Sequence, residues 1–356
     1  MHDNDHSEAL AAEVRDAIAS GTALRIRGGD TRAFYGRRVS TERVIDTRQH
    51  SGIVLYEPSE LAITVRSGTR LQELIDALAA KGQELPFEPP AFGDESTVGG
   101  AIASGLAGPR RPYTGAVRDA LLGVRLINGK GEILNFGGQV MKNVAGYDLS
   151  RPMAGAHGTL GLLLNVSLKL KPIAPGRLTL VFEMSKAAAL ETLRGLYRNP
   201  ANLSAVCWVD NRLYLRLEGF AESIEQRADE LGGDRLDDAA TFWRDLRDHR
   251  HPFFAPGGQP LWRLAVKPAS GELSLPGDEL IDWVGGQRWL RSDADADTLR
   301  KIARAAGGHA TLFRAVEPSQ QPFHPLEPAL MALHQQLKQA LDPQRIFNPG
   351  RMYPEV

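Results

Sequence analysis

Along the first half of the chain, apolar residues come in short runs bounded by glycine or proline. "GIVLYEP", "LAITVRSG", "LGVRLINGKGEILNF" and "LGLLLNVSLKLKP" carry β-branched or alternating apolar residues and predict strands. Ala23-Leu24-Arg25-Ile26 predicts another. Within "VRLINGKGEILNF" two alternating runs flank Asn128-Gly129-Lys130-Gly131, which predicts a hairpin turn. One segment departs from this habit. In "TRLQELIDALAAKG", Leu71, Leu74, Ile75 and Leu78 fall at i, i+3, i+4 and i+7, the signature of one apolar helix face. Thr69 with Gln72 reads as its capping box, and Gly82 as its stop.

"KPIAPGR", residues 171 to 177, predicts a boundary, because two prolines and a glycine follow a strand. Beyond it come a strand "LTLVFEM", a helix "KAAALETLRGLYRN", a hairpin about Asp210-Asn211 and a helix near "ESIEQRADELGG". "LWRLAVKP", "ADTLRKIARAAGG" and "HATLFRA" then predict strand, helix and strand. Long helices interleaved with hairpins fit an antiparallel α+β layer. A last helix bears Leu326, Leu330, Leu333, Leu337 and Leu341 before "DPQRIFNPGRMYP". The expected organisation is a domain over 1–172, an α+β domain over 173–325 and a closing segment over 326–356.

Composition narrows the class. The 356 residues suit about two domains. With 42% hydrophobic and 24% charged residues the chain is ordinary for a globular protein. A net charge of −1 offers no field to recruit nucleic acid or an anionic membrane. No apolar run approaches the ~20 residues needed to span a bilayer, and "MHDNDHSEAL" lacks a secretory pattern, so a cytoplasmic location is expected. The single cysteine, Cys207, excludes an internal disulfide and a self-contained iron–sulfur cluster, which needs about four thiolates. Its context, "SAVCWVD", predicts a buried packing residue. "HDNDH" looks metal-like, but it sits in a polar terminus, which predicts disorder and no metal site.

The candidate chemistry lies in three glycine-rich segments. These are "RGGDTRAFYG" (27–36), "STVGGAIASGLAGPRRPYTGAVRD" (96–119) and "VMKNVAGYDLSRPMAGAHGTLG" (140–161). The first follows a strand, yet it has neither the Gly-Lys-Ser/Thr of a P-loop nor the glycine spacing of a dinucleotide-binding turn. Any one of them could be turns in a β-rich fold.

Taken together, and with "FNPGR" near the chain end, they resemble in order the FAD-binding domain of the vanillyl-alcohol oxidase and p-cresol methylhydroxylase flavoproteins. The resemblance implies an α+β fold: a two-subdomain FAD-binding domain with an antiparallel α+β cap. It implies that "RGGDT" gives backbone N–H groups to the FAD pyrophosphate and that "STVGGAIASG" wraps the diphosphate and flavin edge. "GAHGTLG" would reach the flavin and adenosine side, and "FNPGR" would return to the isoalloxazine. The cofactor-binding residues so implied are Arg27, Gly28, Gly29, Asp30, Thr31, Pro90, Thr97, Val98, Gly99, Gly100, Ala103, Ser104, Gly105, Gly115, Gly155, Gly158, Thr159, Gly161, Val166 and Asn348.

Consecutive N–H groups in a tight turn form an anion-binding nest without needing lysine. Gly28 and Gly29 are expected to supply positive φ and close approach, as are Gly99, Gly100 and Gly105. Asp30 is the odd member. A carboxylate about 4 Å from a phosphate is repelled by roughly 1 kcal/mol in water and about 4 at an effective dielectric of 20. Its side chain is therefore expected to turn away and accept local backbone N–H groups. No histidine occurs between His6 and His50, so FAD is expected to bind non-covalently.

"LPFEPP", "GLAGPRRPYTGAVRDALLGVRLINGKGE", "FGGQVMKNVAGYDLSRPMAG" and "DPQRIFNPGRM" resemble one branch more closely, the FAD-binding subunits of glycolate oxidase complexes. That resemblance implies oxidation of glycolate, a small 2-hydroxy acid, to glyoxylate, beside a larger flavin subunit and an iron–sulfur subunit. It allows a peripheral place at the inner face of the membrane through those partners, without a transmembrane segment. One cysteine and no haem-attachment motif argue independently for a partner that carries electrons onward. Two other readings stay open: a self-sufficient FAD-dependent 2-hydroxy-acid dehydrogenase, and a scaffold without FAD.

No catalytic residue is assigned. The "GDGNxH"-like metal stretch of related dehydrogenases has no counterpart, and His309 stands alone in "GGHATLFRA". His249, His251, His309, His324 and His334 are candidate bases, though lone histidines are more often structural. His157 occupies the place of an acidic residue in the family's "GSEGTLG". Arg110 and Arg111 offer a fork for a carboxylate, or form a solvated turn between Pro109 and Pro112.

Overall fold

The computed structural model of the chain describes residues 4–138, 149–316 and 321–356; positions 140–148 of the third glycine-rich segment lie outside them. The chain divides into two compact units. One comprises 1–107, 115–173 and 325–356, the other 108–114 and 174–324. Residues 108–114 thus cluster with the second unit, although they fall inside the stretch read as the first domain.

In the first unit a five-stranded antiparallel sheet runs in the order Ile53–Glu57, Ala62–Arg66, Leu162–Lys169, Leu121–Ile127, Ile133–Gly137. Its central strand is covered on both faces, which explains the nearly unbroken apolar run of "LGLLLNVSLKL". Leu163, Val166 and Leu168 join a core with Leu71, Leu74 and Leu78 of the helix Leu71–Ala79. Leu162 and Leu164 join a second core with Leu10, Val14 and Ala17 of the helix Ser7–Ser20, and with Phe347. The expected hairpin at 128–131 forms. The Asn128 amide donates to the Glu132 carbonyl at 3.0 Å, and Asn128 Oδ1 accepts from Lys130 N at 2.9 Å. The strand expected at 23–26 is Arg25–Arg27, paired in parallel with Val44–Asp46, and Leu24 bridges to Phe347.

Three local expectations are corrected here. The helix Leu71–Ala79 has no side-chain cap. Thr69 Oγ1 accepts instead from Gly52 N at 2.8 Å, and Gln72 donates to Asp76. Of the polar terminus, described from residue 4, Asp5 and His6 are tied into the fold: Asp5 Oδ1 accepts from Ser7 N at 2.9 Å, and His6 N donates to the buried His50. The last helix begins at Pro328, and Leu330 and Leu333 of its leucine series are exposed while Leu341 is buried.

The second unit is an eight-stranded antiparallel sheet. Leu213, Leu215 and Leu217 alternate inward toward helices Lys186–Arg198 and Ala221–Leu231, while Trp262 and Leu264 meet Leu299 and Ala303 of Ala296–Ala305. The helices cover this apolar face. The opposite parity of the same strands carries Cys207, Asp282, Gln287, Trp289 and Arg263. Asp210 and Asn211 take φ of 51° and 57°, as a two-residue hairpin of this twist requires. Cys207 is fully buried, and burial foremost raises its thiol well above the ordinary range, which makes it unreactive. No helix among the described residues is long and apolar enough to cross a membrane.

Candidate cofactor-binding site

Within the first unit the three glycine-rich segments and the chain end meet around a cleft with two lobes. The polar lobe, about 630 Å3 including its open mouth, is lined by Arg25, Asp30, Arg32 and Arg351 beside Gly28, Gly29 and Thr31. The apolar lobe, about 560 Å3 on the same measure, is lined by Met153, Ala156, Gly161 and Leu163 with Thr47 and Ser67. Ile26, Gly28, Gly100, Ala103, His157 and Asn348 border both lobes, so they form one groove.

The opening loop is built to present main-chain donors. The amides of Gly28, Gly29, Asp30 and Thr31 donate to no acceptor among the described residues. Four successive unfilled N–H groups in a loop that lines a polar cleft are the donor set an anion nest requires. The glycines achieve this differently from the expectation, since neither Gly28 nor Gly29 has positive φ; the left-handed residue is Asp30, at 56°. What the glycines permit is contact between loops. A Cβ on Gly29 would stand 1.5 Å from the Glu95 carbonyl oxygen, and one on Gly28 would stand 2.3 Å from Thr97 Oγ1. Asp30 also departs from its expected local cap, for its carboxylate pairs with the Arg25 guanidinium.

Arginines fix the loop from both sides. Arg32 Nη1 donates to Ser96 Oγ at 2.6 Å and Nη2 to the Pro90 carbonyl, tying the first segment to the second. Arg351 donates from Nη2 to the carbonyls of Arg32, Ala33 and Tyr35 and from Nη1 to that of Arg37. The polar lobe therefore holds three guanidinium groups against one carboxylate, a surplus suited to a dianion.

Asn348 joins the remaining parts. Its Oδ1 accepts from Ile26 N at 2.8 Å, and its Nδ2 donates to the His157 carbonyl at 2.7 Å. His157 borders both lobes, packs edge-on against Tyr35 at 4.9 Å, and donates its amide to Ala103 O. Burial first, then the Arg351 charge, brings its imidazole down to about 3, so it is neutral at ordinary pH. Ser67 Oγ in the apolar lobe is buried and has no hydrogen-bond partner among the described residues. Such an orphan hydroxyl fits a polar ring atom of a ligand.

Of the residues singled out from sequence, Gly28, Gly29, Asp30, Thr31, Thr97, Gly99, Gly100, Ala103, Ser104, Gly158, Gly161 and Asn348 line the groove. The others do not. Arg27 pairs with Asp46 at 2.7 Å, Val98 and Val166 are core residues, and Pro90 serves through its carbonyl. Gly105 and Gly155 pack backbone to backbone, Gly115 faces Asp119, and the Thr159 hydroxyl donates to Ala156 O. Arg25, Arg32, Ser67, Met153 and Arg351 line it without having been singled out. Arg32, Met153 and Arg351 stood inside segments already marked, whereas Arg25 and Ser67 lay in stretches read only as strands.

Neither reading of Arg110 stands. It is buried and bidentate to Glu218, at 2.6 and 2.8 Å, so its fork is already filled. Among the described residues no group of three or more potential metal ligands occurs.

A family model described as "FAD binding domain" matches residues 5–137, and one described as "FAD linked oxidases, C-terminal domain" matches 325–352. The glycolate oxidase subunit GlcE of Escherichia coli (strain K12) is 47% identical over 356 residues, covering 100% of both chains. Glycolate oxidase subunit GlcD of Bacillus subtilis (strain 168) is 31% identical over 199 residues, 55% of this chain and 42% of that one. The D-lactate dehydrogenase of Archaeoglobus fulgidus is 31% identical over 169 residues, 47% of this chain and 37% of that one. A solved structure of alkyldihydroxyacetonephosphate synthase superposes with a TM-score of 0.65 at 15% identity, covering 97% of this chain and 74% of that one, a likeness in fold alone.

Proposed function

The chain belongs to the glycolate oxidase subunit GlcE family of FAD-linked oxidoreductases, and from that premise we propose that it is the non-covalent FAD-carrying subunit of a glycolate-oxidising complex. The observation that carries the reading is the run of four unfilled amides, Gly28 to Thr31, in a lobe with a surplus of arginine.

The groove suits this cofactor chemically. The diphosphate would take the amides of the first loop together with Arg25 and Arg32. Ile26, Met153, Ala156 and Leu163 would enclose a flat apolar ring system, with Ser67 Oγ donating to a ring heteroatom. FAD held there supplies an acceptor for the two electrons that leave the C–OH of glycolate as it becomes the C=O of glyoxylate. Asn348 keeps Ile26 and the His157 loop at fixed separation, and neutral His157 adds no charge beside the ring.

Electrons must then leave the subunit. A single buried cysteine gives this chain no cluster of its own, so an iron–sulfur partner and a larger flavin subunit complete the reading. A peripheral place at the inner membrane face would come through those partners.

The test is optical. The purified chain should be yellow and keep its flavin spectrum through desalting; a colourless product would end the proposal. Anaerobic glycolate should bleach the flavin when the partner subunits are present. Bleaching of the isolated chain at the same rate would identify a self-sufficient dehydrogenase instead.

A further inference from the structure

Arg263, in the second unit, is a guanidinium whose Nε is used and whose outer edge is not. It stands on the strand Leu261–Ala265, in register with Trp289 on one side and Thr311 on the other. Its Nε donates to Gln287 Oε1 at 2.7 Å. Its guanidinium carbon lies 5.1 Å from the Trp283 ring centre and 6.0 Å from that of Trp289. Gln287 is held in turn by donating to Asp282 Oδ2 at 3.4 Å. Among the described residues no carboxylate pairs with Arg263, and its two Nη groups donate no hydrogen bond. Two indoles and an amide therefore immobilise the fork without filling it. Planar forks of this kind match the two coplanar oxygens of a carboxylate.

The surroundings add positive charge. The Arg111 guanidinium lies 4.3 Å from the same Trp283 ring. His309 is paired with Ala265, so it is a diagonal neighbour of Arg263 on the same face, and its ring is 6.4 Å from that of His324. Loss of hydration foremost, then the charges of Arg263, His324 and Arg111, lowers the His309 imidazole. The turn presenting Trp283 is strained. Trp283 and Val284 take φ of 52° and 58°, a region that branched side chains avoid, and Trp283 Nε1 donates to the Gly108 carbonyl at 3.0 Å. Strain of that kind is retained where the surrounding structure demands one placement. Here it sets an indole against two guanidinium groups.

We propose that Arg263 anchors a binding site for a small carboxylate, with Arg111 as the second cation. The site rests on the reading of the chain as a 2-hydroxy-acid protein and gives that reading a substrate-class contact on this subunit's own residues. None of its groups lines the cofactor groove, so the two claims can fail separately.

Tryptophan fluorescence of the full-length, FAD-loaded chain, titrated with glycolate at constant ionic strength, tests the site. Saturable quenching is expected, with chloride silent and inorganic phosphate weaker than glycolate. Arg263→Gln should weaken glycolate about tenfold or more, the loss typical of a charged hydrogen-bonded pair. Arg263→Lys keeps the charge but not the fork and should lose roughly fivefold. Flavin absorbance should stay at the wild-type level in both. Wild-type glycolate affinity in Arg263→Gln, or phosphate binding as tightly as glycolate, overturns the proposal. Should both Arg263 variants unfold, Arg111→Gln decides: a loss of about threefold supports the site, and no change overturns it. Loss of flavin with intact glycolate quenching would sink the FAD reading alone.

Discussion

The Asp30 carboxylate and the Arg25 guanidinium form an ion pair inside the polar lobe of the groove. The pair places an anion beside four amides arranged to receive one. Asp30 is also the one left-handed residue among Gly28 to Thr31, so its backbone shapes the run of amides while its side chain competes for an arginine beside them.

Removing the competitor should tighten the cofactor. Asp30→Asn keeps a residue tolerant of left-handed φ and deletes the charge. FAD affinity should rise about three- to tenfold, in line with a repulsion of roughly 1 kcal/mol or somewhat more. Arg25→Gln should lower it. Titration of the flavin-stripped protein, followed by quenching of flavin fluorescence, reads both, and a weaker Asp30→Asn would contradict the competition.

Ser67→Ala should move two measurements in opposite directions. Deleting a buried hydroxyl with no partner leaves the flavin-free protein equally or more stable, because an unsatisfied group costs about 1–3 kcal/mol. The same change should weaken FAD several-fold, since the hydroxyl then has no ring atom to meet. Thermal melts with and without FAD separate the effects.

Acid should weaken the fold through His157. Its imidazole titrates at about 3 in the folded chain against about 6.5 unfolded, so between those values the unfolded chain binds more protons. The contribution is whole above pH 6.5 and lost progressively as pH falls toward 3. His157→Gln should flatten the decline in melting temperature between pH 7 and pH 4; an unchanged decline would remove His157 as its source.

The last helix is tied to the groove by one buried ammonium. Lys338 Nζ donates to Thr159 O at 2.6 Å, to Asp342 Oδ2 at 2.8 Å and to Phe347 O at 3.0 Å. Asp342 accepts in turn from the Ile346 and Phe347 amides. Lys338→Met strands that carboxylate and should cost about 3–5 kcal/mol. Because Phe347 precedes Asn348, FAD retention should fall with it. Calorimetry and desalting report the two losses.

What was legible in the sequence follows from local chemistry. Period-two runs and hairpin residues placed many of the strands, though not Val44–Asp46, Asp278–Asp282 or Gln287–Arg291, and the apolar spacing of 71, 74, 75 and 78 placed a helix that buries Leu71, Leu74 and Leu78. The spacing of Leu10, Val14 and Ala17 was equally open to reading as the first helix. The glycine-rich loops marked the groove, because such loops are spent where backbones approach closely.

Tertiary structure alone decided which side chains the groove uses. Arg25, Ser67 and Arg351 are far apart in sequence and look like any surface arginine or turn serine; only the meeting of three loops and the chain end makes them neighbours. Arg110 and Arg111 are adjacent and chemically alike, yet one is buried on Glu218 and the other lies against Trp283. Sequence lists a residue's charge and backbone freedom. Whether a charge is already paired depends on what the fold packs beside it.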